Sequence, residues 1–262
     1  MKPMIRAVLF DLDDTLFDHR HCARAALEAL RTTHACFAAI SATEFERTHG
    51  QLLEDLHARV LAGEIGLDDA RIERFRRLFL SAGVEASSDL SRAASAEYRS
   101  CYLRSWRTVD GASPLLAALS HRVPVGIVSN NLVAEQMEKI RHCGFDAYLS
   151  AIVISEEAGA AKPDPAIFRI AMERLSSDPQ GTIMIGDSWP ADIVGARAAG
   201  IRGIWFNRTS EAAPDPDAAV PELHSFTPID DVLATILGTS EWNGSPLNDR
   251  PSASQRLHLT RL

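Results

Sequence analysis

Two aspartates one residue apart, Asp11 and Asp13 in D-L-D-D-T-L, are the first residues along the chain equipped for chemistry. They alternate around Leu12, so an extended backbone can present both to one crevice. There they can act as nucleophile and general acid/base, or as ligands for a hard cation. Ser129 with Asn130 and Asn131 offers a hydroxyl and backbone N–H groups suited to an anionic oxygen. Lys162, in K-P-D-P, supplies a cation, and Asp187 and Asp192, in G-D-S-W-P-A-D, add two carboxylates. Singly, each has a plain reading: an acidic turn, a helix cap at Ser129, a surface lysine, a helix start at Asp164-Pro165. Together they would require four coincidences in one chain.

The surrounding pattern says what must position them. Short runs at Ile5–Phe10, Val123–Ser129, Ala151–Ile154, Thr182–Ile185 and Gly203–Phe206 are nearly continuously apolar. Such runs suit strands covered on both faces, as in a parallel sheet. Helical patterns lie between them: Leu115, Leu116 and Leu119; Val133, Met137 and Ile140; Ile167 to Leu175; the Ala-rich 191–199; and Ile229–Leu237. The alternation predicts a doubly wound α/β fold with a parallel, Rossmann-like sheet, and every candidate residue falls just beyond a strand's carboxyl end. From 18 to 106 the rhythm breaks into helical periodicity alone, punctuated by Gly50, Gly63, Gly66 and Gly83. An inserted all-helical domain of about four helices is expected there. The α/β domain is expected over 1–17 and 107–238. The segment 211–221 reads as a surface loop and 239–262 as a polar tail.

Composition narrows the classes. The chain has 262 residues, 27 Lys+Arg against 35 Asp+Glu, and a net charge of −8. That excess argues against a nucleic-acid or polybasic membrane partner, but not against a small anion at a local site. Cys22, Cys36, Cys101 and Cys143 have no C-x-x-C or zinc spacing and are expected to be free, mostly buried thiols in a reducing cytoplasm. No apolar run approaches the roughly 20 residues of a membrane span. Arg71–Arg77 (R-I-E-R-F-R-R) reads as a solvated helix face. Gly195–Gly200 has P-loop glycine spacing without the Lys-Ser/Thr that follows, and reads as helix packing.

The assembly of D-L-D-D-T-L, Ser129, Lys162 and G-D-S-x-x-x-D resembles the haloacid dehalogenase-like (HAD) hydrolase superfamily, in order and over about residues 4–206. The resemblance implies that Asp11 attacks phosphorus and carries an aspartyl-phosphate. It implies that Asp13 protonates the leaving group and then activates water. Ser129 and Asn130 would bind substrate phosphate, and Lys162 would neutralise it. Mg²⁺ would sit on Asp11, the backbone carbonyl of Asp13 and Asp187, with Asp192 supporting it through water or a nearby contact. The helical insertion resembles a C1-type cap. The substrate implied is a small phosphorylated metabolite, and the protein a monomer or homodimer.

The crevice would gather up to four negative charges against one from Lys162, so strict metal dependence is expected. A 2-haloacid dehalogenase would have a non-acidic residue at position 13. A phosphomutase usually has glycine where Asp14 stands. A signalling receiver domain would be about half the length, and a non-enzymatic binding protein would be expected to lack a motif residue.

Overall fold

A computed structural model describes residues 4–238, so the tail expected over 239–262 lies outside the described residues. Chain contacts divide the protein into two compact units, Met1–Phe17 with Thr108–Leu262, and Asp18–Arg107. The first begins with β1 (Ala7–Phe10). The second holds α1 (His19–Thr33), a one-turn α2 (Ala35–Ala38), α3 (Ala42–Leu61), α4 (Leu67–Ser81) and α5 (Ser88–Arg104). The first unit resumes with α6 (Ala112–Ser120), β2 (Val125–Ser129), α7 (Val133–His142), β3 (Ala151–Ile154) and the one-turn α8 (Ser155–Ala158). It continues through α9 (Pro165–Arg174), β4 (Thr182–Gly186) and a π-helical stretch, Trp189–Val194, that runs into α10 (Gly195–Ala198). β5 (Arg202–Phe206), β6 (Glu222–Leu223) and α11 (Ile229–Leu237) complete it.

The strands form a parallel sheet in the order β3-β2-β1-β4-β5-β6. Every residue of β1, β2 and β4 is buried, which is why their sequences run apolar instead of alternating. Leu9, Val128, Val153 and Met184 pack with Ile167, Phe168 and Ala171 of α9 in one core. Phe10, next along β1, points to the opposite face. It meets Phe226 edge-on at 6.2 Å, and Phe226 stacks on Phe206 at 4.0 Å. β6 was not anticipated: two residues are too few to leave a pattern. A Cβ at Gly195 would stand 2.8 Å from the Phe168 ring and 2.9 Å from the Pro163 Cα, so that glycine serves close packing, not phosphate binding.

The second unit is entirely helical among its described elements. α1 packs on α5, and α4 on both α3 and α5. Phe37 lies 4.7 Å from Phe45 and 4.6 Å from Phe79, giving these helices an aromatic core. Ser41 and Ser87 cap α3 and α5 by accepting from Glu44 N and Leu90 N. The two ends of the unit are tied together: Arg107 donates to the buried Asp18 carboxylate at 2.8 and 2.6 Å, and Asp18 N donates to Arg107 O at 3.1 Å.

All four cysteines are free, as expected, but only Cys22 is buried. Among the described residues no helix is long and apolar enough to cross a membrane.

Candidate active site

β1 is the strand from which the sheet is built outward in both directions. The chain runs from it to β2 and β3 on one side, then returns to β4, β5 and β6 on the other. Such a reversal leaves a crevice beyond the carboxyl ends of the central strands. Asp11 directly follows β1, Ser129 ends β2, and Asp187 directly follows β4. Asp11 N still donates to Ile185 O at 2.9 Å, so the ladder itself fixes where its side chain begins.

At the centre, the Lys162 ammonium is buried and donates to both Asp11 Oδ1 and Asp192 Oδ1 at 2.6 Å. Burial alone would lower the lysine's pKa, but the two carboxylates outweigh it and raise it. Burial pushes Asp11 up to about 7; Lys162 opposes this, and Asp192 and Asp13 add to it. Asp11, Asp187 and Asp192 each offer a carboxylate oxygen, and these oxygens lie within 4.8 Å of one another. Lys162, three carboxylates and the strand ends therefore meet at one place.

A second charge pair flanks the first. Lys139 Nζ donates to Asp13 Oδ1 at 2.6 Å and Oδ2 at 2.8 Å, and lies 5.2 Å from the centroid of the Phe17 ring. Gln136 Nε2 donates to Asp13 Oδ2 at 2.9 Å and to Ser129 Oγ at 2.6 Å. Gln136 and Lys139 stand three apart on α7, so one helix face presents both. The sequence reading missed them. It assigned the buried face of α7 to Val133, Met137 and Ile140, whereas Gln136, Lys139 and Ile140 are the buried residues. The available signal was a polar pair at helical spacing just after Ser129.

Four further contacts hold the loops in place. Asn130 Nδ2 donates to Lys162 O at 2.8 Å and Lys162 N donates to Asn130 Oδ1 at 2.7 Å. Both ends of this amide are thus used on the Lys162 backbone. The side chain expected to touch phosphate positions the lysine instead. Asp187 N donates to Thr15 Oγ1 at 3.1 Å, joining the first and fourth motifs, and Trp205 Nε1 donates to Asp187 O at 2.8 Å. Asp14 adopts φ 62°, a left-handed turn that an aspartate tolerates better than most residues. Gly186 leaves the space that the Asp192 side chain fills, since a Cβ there would collide with that carboxylate.

A family model for haloacid dehalogenase-like hydrolases matches residues 5–200. The chain belongs to the haloacid dehalogenase-like hydrolases. Within this family it is 31% identical over 238 residues to a ribulose-1,5-bisphosphate 5-phosphatase of Halopiger xanaduensis, a match covering 87% of this chain and 96% of that one. It is also 31% identical over 236 residues to a phosphoserine phosphatase of Thermus thermophilus, covering 80% and 94%. The magnesium-bound HAD-hydrolase YfnB of Bacillus subtilis shares the fold, with a TM-score of 0.68 at 24% identity, covering 89% of this chain and 99% of that one.

Two outcomes test the geometry of this haloacid dehalogenase-like site. Gly186→Ala should displace Asp192 and lower stability by about 1–3 kcal/mol, as overpacking does; an unchanged denaturation midpoint would contradict the packing. The second concerns pH. An aspartate whose folded pKa lies above its unfolded value stabilises the fold at low pH, and that contribution is lost as pH rises through the folded value, here about 7. In metal-free protein, Asp11→Asn should therefore gain stability relative to wild type from about pH 4 to about pH 7, with no further gain above that. Parallel stability curves would show that Asp11 ionises without cost.

Proposed function

We propose that this haloacid dehalogenase-like phosphatase hydrolyses a small phosphate monoester through an aspartyl-phosphate on Asp11. The observation that carries the reading is the buried Asp11 carboxylate, 2.6 Å from the Lys162 ammonium at the carboxyl end of the central strand. The phosphatases among its relatives support the substrate class.

A phosphate monoester is a dianion, so an attacking carboxylate needs positive charge beside it. Lys162 supplies one such charge. Even with Lys139 counted, Asp11, Asp13, Asp187 and Asp192 leave the site in negative excess. The donor set, hard carboxylate oxygens converging from the segments after β1 and β4, fits a magnesium ion. Asp11 and Asp187 would hold it with the backbone carbonyl of Asp13, and Asp192 would support it. Bound there, the ion would supply the remaining charge neutralisation.

In the first step an Asp11 carboxylate oxygen bonds to phosphorus as the bond from phosphorus to the ester oxygen breaks. Asp13 gives its proton to the departing oxygen, releasing an alcohol. Ser129 donates to a phosphoryl oxygen, and Lys162 balances the charge. In the second step Asp13 takes a proton from water, whose oxygen bonds to phosphorus and frees Asp11. Lys139 and Gln136 hold Asp13 in its carboxylate form, the form that takes a proton from water, and Gln136 ties its position to Ser129. Asp13 also argues against carbon–halogen hydrolysis, because halide needs no proton on leaving. Asp14 stands where a phosphomutase usually has glycine.

Asp11→Asn, or EDTA on the wild type, should abolish release of 4-nitrophenol from 4-nitrophenyl phosphate in a magnesium buffer. Activity surviving either treatment would refute the mechanism. Asp13→Asn should slow an alkyl phosphate by about 10²- to 10⁴-fold, the usual worth of general acid–base help. It should slow the nitrophenyl ester less, since that leaving group departs without a proton. Equal losses on the two esters would remove Asp13 from the acid role.

A further inference from the structure

The helical unit contains a buried cation that no acid among the described residues balances. Arg74 on α4 is 9% exposed, and its Nε is fully buried with no hydrogen-bond partner among the described residues. The other two buried basic side chains with a full charge, Lys139 and Lys162, are each paired with carboxylates at 2.6 Å. Arg74 has no ion pair among the described residues. Its neighbours in the run read as a solvated face do: Arg71 with Asp68, Arg76 with Glu73, and Arg77 with Glu73 and Asp55. Periodicity explains the difference. Arg74 falls on the inward side of α4 with Ala70, Phe75 and Leu78, so part of that run is not solvated.

Aromatic groups surround the guanidinium. Its carbon lies 5.2 Å from the Phe75 centroid and 5.3 Å from that of Tyr98. His49, from α3, is 4.9 Å from the Tyr98 ring, and its buried Nε2 has no partner among the described residues. Burial lowers the Arg74 pKa, Arg71 and Arg99 lower it further, and the Tyr98 and Tyr102 hydroxyls offset this in part. His49 is kept neutral by burial, by Arg74 and by His19. Cation–π contact recovers only part of the cost of burying a charge. A buried guanidinium that shares the Tyr98 ring with a neutral imidazole, lies near further cations and has no ion pair among the described residues is left with donors for an anion.

We propose that Arg74 and His49 form an anion-recognition site in the helical unit, built for a carboxylate or phosphate group. The ligand is a small anion of that class, and the proposal does not depend on the phosphatase reading.

Calorimetric titration of malonate into the metal-free full-length protein tests the site itself. Binding should be saturable in the wild type, weakened at least tenfold in Arg74→Met and partly restored in Arg74→Lys. His49→Gln, which keeps a polar group of similar size, should weaken it several-fold and serves equally if the methionine variant fails to fold. Absent binding, or equal affinity in wild type and variants, overturns the proposal.

Discussion

One ammonium group organises the catalytic end of the sheet. Lys162 Nζ lies between Asp11 and Asp192, and all three are buried. Two carboxylates this close, out of water, repel one another, and the lysine makes their approach tolerable. The rest of the unit is arranged around that requirement. Asn130 holds the lysine's backbone from both sides of the peptide, Gly186 leaves room for Asp192, and the pairing of β1 with β4 sets the start of Asp11.

The second ion pair repeats the principle with a different purpose. Asp13 lies two residues from Asp11, yet its carboxylate is turned to Lys139 and Gln136 on α7. The two aspartates thus have different partners: one faces the lysine of the K-P-D-P loop, the other a helix face. Different surroundings allow two identical side chains to take different chemical roles. Gln136 also reaches Ser129, so the serine and Asp13 are held by one amide.

The helical unit contrasts with this economy of charge. The arginines flanking Arg74 in its run are matched with acids, but Arg74 has no ion pair among the described residues, and it lies among aromatic rings that stack on it without neutralising it. In the sheet unit, buried charge is paired within the chain. In the helical unit, the fold leaves a positive charge to be answered from outside.

The parallel sheet and the clustering of motifs beyond strand ends were legible because apolar runs and Asp, Ser and Lys after them are local features. The sequence alone determined that Asp11, Ser129, Lys162 and Asp187 belong to one end of a sheet. The alternation of strand and helix admits few other arrangements. It could not determine which carboxylate each lysine faces, because Lys139 and Asp13 are 126 residues apart. Nor could it distinguish Asn130 as a backbone clamp from Asn130 as a phosphate ligand, since an amide suits both. Arg74 is the sharpest case: in sequence it is one arginine of four in a short run, and only the packing of α4 decides that three meet acids while the fourth is buried with no acid partner among the described residues. Pairing and burial depend on what the rest of the chain brings alongside, and that is a property of tertiary structure.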